Sequence, residues 1–253
     1  MNPPYPIIDF PGGHCLFAGR LGGVSGGPYA SLNVGFHVGD HDDLVLENRR
    51  LLKNLLGATY LVSARQTHSV NIFTLTAPPV CSDRPRADRE IADCDALITD
   101  QPGVALMIQH ADCQPVLVYE PNRRVVAAIH NGWRGSVANI LAATVAHLRA
   151  EFHCRPQDLR ALIGPSLGPC CGEFVGYREH LPPTFQRFMP RADHFNFWRI
   201  SEWQLLEAGL AAEHIQLPTV CTRCQRDFFS HRRAMATGLA ATGRNASLIM
   251  LTV

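Results

Sequence analysis

The sequence predicts a mixed α/β domain built as a layered sandwich. Four short apolar runs, ALIT, VALMIQ, PVLVYE and VVAAIH, follow one another and are separated by DQPG, HADC and PNRR, which have turn or loop chemistry. Runs that stay apolar along their whole length belong to a sheet buried on both faces. Several longer segments carry apolar residues at helical spacing, the pattern of helices that cover such a sheet. No internal repeat and no Gly/Ser-rich linker divides the 253 residues, so a single domain over 1–253 is expected.

Each element follows from local chemistry. Residues 15–40 are rich in Gly and Ser and poor in helical periodicity, which predicts a short strand and then a long looping segment of the kind that usually serves a site. Asp42 or Asp43 is placed to cap a helix whose apolar positions Leu46, Leu51, Leu52, Leu55 and Leu56 lead to a stop at Gly57. ARQTHSVNIFTLT (64–76) reads as a strand entered through a polar turn, and 77–93 as a Pro- and charge-rich loop. After the four apolar runs, VANILAATVAHLRAEF predicts the second helix, LRALIGP a strand, and SEWQLLEAGLAAEH (201–214) a third helix with Ser201 and Glu202 near its start. SLIMLTV closes as a strand.

Composition narrows the function. Hydrophobic residues at 46% and charged residues at 18% describe an ordinary globular chain that should bury roughly 70–75% of its unfolded surface. A net charge of +1 with no basic run argues against nucleic acid, so a small-molecule partner is expected. No apolar stretch has the ~18 residues of a membrane span, and MNPPYPIIDF lacks a basic, then apolar, signal pattern, so a cytoplasmic setting is expected. Nine cysteines in a reducing compartment are then core residues, metal ligands or nucleophiles.

The stretch HADCQPVLVYEPNRRVVAAIHNGWRG concentrates the candidate chemistry. If PVLVYE and VVAAIH pair through PNRR, Cys113 and His130 sit together at the open end of a hairpin, with Asp112 and GWRG beside them. A thiolate and an imidazole are a sound zinc pair; a buried cysteine and a satisfied core histidine are the plain alternative. His68, in RQTHS, offers a third donor, and three protein ligands with an open fourth position is the pattern of catalytic zinc. Spacing alone does not join His68 to the pair. Cys113 could instead be a nucleophile with His130 as base, giving a hydrolase of amide or peptide-like substrates. Arg20 and Arg134 could each offer a bidentate fork to an oxyanion, and Asn33 could orient substrate or shape a turn.

Three patterns mislead. GVSGG matches G-x-S-x-G, but no helix follows it. CTRC (221–224) has C-x-x-C spacing, yet its nearest partners Cys170 and Cys171 are adjacent, a poor arrangement for chelation, so buried or redox-sensitive thiols are expected. The H-x-E…P-C-x-x-C deaminase signature is absent, as are a Walker loop and G-x-G-x-x-G.

RLGGVSGGPYASLNVG, RQTHS, ADCQP, HNGWRG, IGPSLG and FFSHRR occur in an order that resembles the multicopper polyphenol oxidase (laccase-like) family, or YfiH-type proteins. The resemblance covers nearly the whole chain. It implies a four-layer α/β/β/α sandwich with mixed sheets. It also implies purine nucleoside phosphorylase activity with adenosine deaminase and S-methyl-5′-thioadenosine phosphorylase activities, on purine nucleosides and phosphate. The implied metal ligands are His68, Cys113 and His130, with zinc the expected ion and copper, after the older family label, the alternative. Asp112 would be a base beside the ligands or would merely orient one. Related proteins linked to editing of cell-wall precursors would suit the cysteine-nucleophile reading.

Overall fold

The computed structural model describes residues 5–78 and 88–253. Twelve strands among them form two sheets: β1 (Ile7–Phe10), β2 (Gly13–Ala18), β3 (Tyr60–Arg65), β4 (Ile72–Leu75), β5 (Asp88–Ala92), β6 (Ala96–Thr99), β7 (Val104–His110), β8 (Gln114–Glu120), β9 (Val125–Asn131), β10 (Arg160–Ile163), β11 (Ile215–Gln216) and β12 (Asn245–Leu251). The first sheet runs β1-β2-β12-β7-β3-β5 and the second β11-β10-β8-β9-β6-β4, each mixing parallel and antiparallel pairs. Six helices accompany them: α1 (Asp42–Leu56), α2 (Trp133–Ala138), α3 (Ile140–Phe152), α4 (Tyr177–His180), α5 (Phe197–Glu207) and α6 (His231–Ala236).

The period-2 alternation of side chains explains why these strands are apolar throughout. Along β7, Leu106 and Ile108 face the space between the sheets, where they meet Leu117 of β8, Val126 and Ala128 of β9 and Ile249 of β12. The intervening Ala105 and Met107 face outward onto Leu52 and Leu56 of α1. On the second sheet Val116, Val118, Ala127 and Ile129 face outward onto Ile140, Leu141, Val145 and Leu148 of α3 and Leu205 of α5. Helix, sheet, sheet, helix is the resulting four-layer α/β/β/α sandwich. A fourth cluster, Tyr177, Leu181, Phe185, Phe195 and Ile200, packs under the loops between β10 and α5.

Several expected elements are resolved differently. The four apolar runs are all strands, but VALMIQ joins the first sheet and the other three the second. Residues 64–76 are not one strand: β3 ends at Arg65, the chain crosses between the sheets, and β4 begins at Ile72 in the opposite sheet. The loop expected at 77–93 contains β5, which pairs in parallel with β3; residues 79–87 lie outside the described residues. His41, not Asp42 or Asp43, occupies the N-cap of α1, with the two aspartates in the first turn, where their charge favours the helix dipole. The buried face of that helix is Val45, Asn48, Arg49, Leu52 and Leu56, while Leu46 and Leu51 are only half-buried. The second helix is broken at Asn139, whose φ of 58° lies in the left-handed region. The third begins at Phe197 because Asn196 caps it by accepting from Arg199 N, and it stops at Glu207 before Gly209, whose φ is 99°.

The polar side chains of α1 organise the long loop after β2. Asn48 donates to the carbonyls of Ser31 and Asn33 and accepts from Val24 N, and Arg49, 1% exposed, donates to Val34 O and Ser63 Oγ. These bonds replace the ladder the loop lacks and hold Gly35–Val38 over the edge of the first sheet.

Candidate functional site

His68, Cys113 and His130 come together from three different segments. His68 is on the crossing from β3 to β4, Cys113 on the crossing from β7 to β8, and His130 near the end of β9. The β8–β9 ladder pairs Gln114 with Asn131 and Pro115 with His130, so the hairpin places Cys113 beside His130 as its sequence predicts. The remaining donor is brought in by a residue that sequence reasoning missed.

Asp95, fully buried before β6, is the hub. Its carboxylate accepts from the backbone N–H groups of Thr67, His68 and Ser69 at 3.1, 3.1 and 2.7 Å and from the Ser69 hydroxyl at 2.8 Å. That cradle holds His68 at a φ of 60°, a left-handed conformation uncommon for residues other than glycine. The same carboxylate takes a 2.7 Å bond from His130 Nδ1, and the Asp95 carbonyl accepts from His130 N at 2.7 Å. Because an ionised carboxylate only accepts, Nδ1 carries a proton, and Nε2 is the ring nitrogen left free of Asp95. The only sequence signal for Asp95 was an acid directly before an apolar run.

The three donor atoms lie within 4.8 Å of one another, and Cys113 Sγ is 3.8 Å from His68 Nε2. The two imidazoles meet edge to face with centroids 4.9 Å apart. Gly132 keeps this space open: a Cβ there would stand 2.8 Å from His68 Cδ2 and 3.2 Å from Cys113 Sγ. Burial by itself would push the Cys113 thiol up, yet the charge and hydrogen bond of His130, with a bond from His68, bring it well below the usual cysteine range. For His130 burial acts downward, and the Cys113 thiolate and Asp95 carboxylate outweigh it and raise the imidazole. By contrast Cys15 and Cys94 are pushed up to about 12, chiefly by burial. A readily ionised sulfur and two imidazole nitrogens, one oriented by a carboxylate, fit a borderline-soft divalent metal with a position left open.

His68 and Cys113 form a ridge between two cavities, and His130 lines the first of them. The first, of about 420 Å³, is the more polar of the two and is walled by Gly35, His37, Gln66, Gln109, His110 and Arg244 among others. The second, of about 270 Å³, has an aromatic wall of Trp133, Phe174 and Phe197. His68, Cys113 and His231 border both. Gln66 and Gln109 stiffen the polar side by a paired exchange, Gln66 Nε2 donating to Gln109 O at 2.6 Å and Gln109 N to Gln66 Oε1 at 2.8 Å.

The other expected residues, Asp112, Arg20, Arg134 and Asn33, stand outside the three-donor group. Asp112 has both oxygens engaged, accepting from Thr222 Oγ1 at 2.7 Å and Arg232 N at 2.6 Å, so it ties the loops behind Cys113 together. Arg20 donates to Ala30 O and stacks over Phe229. Arg134 is exposed and stacks over Trp133. Asn33 is buried and bonds Gly35, Asp40 and the backbone N–H of Arg244. None of these last three lines either cavity. Two arginines do line the polar cavity, Arg65, which is exposed, and Arg244, whose only sequence signal was the preceding glycine: a Cβ at Gly243 would strike Phe229. Contrary to the adjacency argument, Cys170 and Cys171 do converge with Cys221 and Cys224.

A family model described as multi-copper polyphenol oxidoreductase laccase matches residues 14–252. The chain belongs to this family. Among its relatives, purine nucleoside phosphorylase YlmD of Geobacillus stearothermophilus is 35% identical over 91% of this chain and 87% of its own length. Purine nucleoside phosphorylase YfiH of Escherichia coli K12 is 34% identical over 88% of this chain and 89% of its own. The crystal structure of YlmD from Geobacillus stearothermophilus superposes with a TM-score of 0.84 at 32% identity, covering 96% of this chain and 93% of that one. A Bacillus licheniformis hypothetical protein, YfiH, gives 0.83 at 30% identity over 98% and 99%. The polyphenol oxidoreductase laccase family label and the His/Cys group together point to a metal at this site. No helix among the described residues is long and apolar enough to cross a membrane.

Proposed function

We propose that this chain is a zinc-dependent purine nucleoside phosphorylase that also deaminates adenosine and cleaves S-methyl-5′-thioadenosine with phosphate. The observation that carries the reading is the convergence of His68, Cys113 and His130, with His68 and Cys113 on a ridge between a polar and an aromatic cavity and His130 on its polar side. The relatives' names point to the same substrate class. A purine has apolar faces and polar edges, and the wall of Trp133, Phe174 and Phe197 suits it by stacking. Ribose and phosphate then lie across the ridge, beside Arg244, Gln66 and Gln109.

Arg244 is the residue assigned to phosphate. Its guanidinium is tied by the carbonyls of Thr242 and Gly243 and its backbone by Asn33, so its charge is fixed before the anion arrives. In phosphorolysis a phosphate oxygen bonds C1′ as the C1′–N9 bond breaks, and the bonding pair passes to the purine. Holding the phosphate behind C1′ while the base is stacked contributes through orientation. Asn33 acts as a positioning residue through Arg244, and Asp112 as one for Cys113. His68, Cys113 and His130 would hold the zinc, which when bound would supply Lewis-acid polarisation at its open position, the chemistry deamination needs.

Asp95, His130 and Cys113 also form a carboxylate–imidazole–thiol series, which favours a second reading as a cysteine-nucleophile amide hydrolase. That reading leaves His68 without a role. One experiment separates the two: metal-quantified protein is incubated with adenosine, inosine or methylthioadenosine, with and without phosphate, and products are resolved chromatographically. Phosphate-dependent release of free base, lost in a His68→Ala, Cys113→Ala, His130→Ala triple variant, is expected. Full activity in a metal-free preparation that thiol alkylation abolishes would transfer the assignment to the hydrolase; metal analysis also decides between zinc and copper.

A further inference from the structure

We propose a second metal site, a closed tetrathiolate zinc centre formed by Cys170, Cys171, Cys221 and Cys224, separate from the His68 trio. The four sulfurs lie within 4.8 Å of one another, with Cys224 Sγ 3.6 Å from Cys170 Sγ and 3.5 Å from Cys171 Sγ. Four sulfurs about 2.3 Å from a tetrahedral zinc stand about 3.8 Å apart, close to these spacings, whereas a disulfide brings two to about 2.05 Å. All four cysteines are free. Donor count separates this cluster from the ridge: four protein sulfurs close a coordination shell, and closed shells are structural.

The backbone is arranged around the cluster as a metal knuckle requires. Gly168 N donates to Cys221 Sγ at 3.2 Å, a bond that favours thiolate over thiol. A glycine eases this approach, because a Cβ at 168 would stand 3.0 Å from both Cys221 Cβ and the Trp198 ring and would crowd them. A four-thiolate zinc carries two net negative charges, and three arginines grip the same loops: Arg191 on Cys170 O, Arg232 on Cys171 O and Glu173 O, and Arg233 on Thr222 O and Arg223 O. Binding would release the thiol protons to solvent, one for each Zn–S bond formed.

The consequence reaches the reactive ridge. Thr222, directly after Cys221, holds Asp112 Oδ1, and Leu167 N holds Asp112 O at 2.9 Å, one residue from Cys113. Gly172, Glu173 and Phe174, which follow Cys171 directly, line the aromatic cavity. A zinc here would pin 167–174 to 221–225 and fix that wall.

The test uses the full-length His68→Ala, Cys113→Ala double variant, which removes the ridge donors, so the outcome does not depend on the proposed activity. After purification in zinc-supplemented, reducing medium it should retain one zinc per chain, with X-ray absorption giving four sulfur neighbours at about 2.3 Å. Replacement by Co2+ should give the intense visible bands of a tetrahedral tetrathiolate ion. Adding Cys221→Ser and Cys224→Ser should lose that zinc; if this variant fails to fold, the cobalt spectrum of the parent double variant still decides. No metal in the double variant, nitrogen or oxygen neighbours in place of sulfur, or a Cys170–Cys224 disulfide in protein purified with reductant would each overturn the proposal.

Discussion

At the scale of single residues, one carboxylate decides whether the ridge exists. Asp95 binds both His130 and the backbone that presents His68, so an amide at this position would turn one acceptor into a donor facing N–H groups. Asp95→Asn is expected to weaken zinc binding about 10–100-fold, measured by competition with a chromophoric chelator. Arg244 gives a different signature. Arg244→Lys keeps the charge but loses the fork, and KM for phosphate should rise about tenfold while phosphate-independent deamination keeps its kcat. His110 supplies the pH dependence. It is buried with Nδ1 unpartnered, and burial first, then the charges of His130 and Arg244, hold it down at about 3. The unfolded chain takes up this proton near pH 6.5, so the folded state is favoured above that pH and loses stability as pH falls from about 6.5 toward 3. Denaturant midpoints at neutral pH and at about pH 4.5 should diverge less in His110→Gln than in the parent protein.

At the scale of elements, turns carry the specificity. Asn139 ends α2 and caps α3 at once, with its side chain accepting from Ala142 N while its backbone is left-handed. Asn139→Ala should cost about 2 kcal/mol in urea unfolding, combining a lost cap with a left-handed alanine, and Asn139→Gly less. Legibility in the sequence divides along the same line. The apolar runs of β6 to β9 were readable because burial on both faces leaves no polar alternative, and the Cys113–His130 pairing followed from the hairpin. The splitting of 64–76 was not readable, because it is enforced by Asp95, distant in sequence, accepting N–H groups that would otherwise prefer a ladder. The contacts of Arg20 and Asn33 were not readable for a similar reason: an arginine or amide that binds carbonyls of its own loop has the same local sequence as one that faces a ligand. The inward set of α1 was misjudged because Asn48 and Arg49 are buried by serving the loop after β2, which periodicity scored on apolarity does not register.

At the scale of the whole molecule, the two sheets share one interior, and the ridge is fastened to both. Leu106→Ala, at the centre of the inter-sheet cluster, should cost 2–5 kcal/mol. Metal release and loss of far-ultraviolet ellipticity should coincide in a single transition, and two separated transitions would contradict a common core. His68 and Cys113 each stand on a step by which the chain passes from one sheet to the other. The thickness of the hydrocarbon filling between the layers therefore acts as a calliper, setting the bite of the donor triangle. Lengthening either step by one residue, or swelling the filling with a bulkier side chain, would widen that bite and retune ion preference from a distance, without altering a single donor.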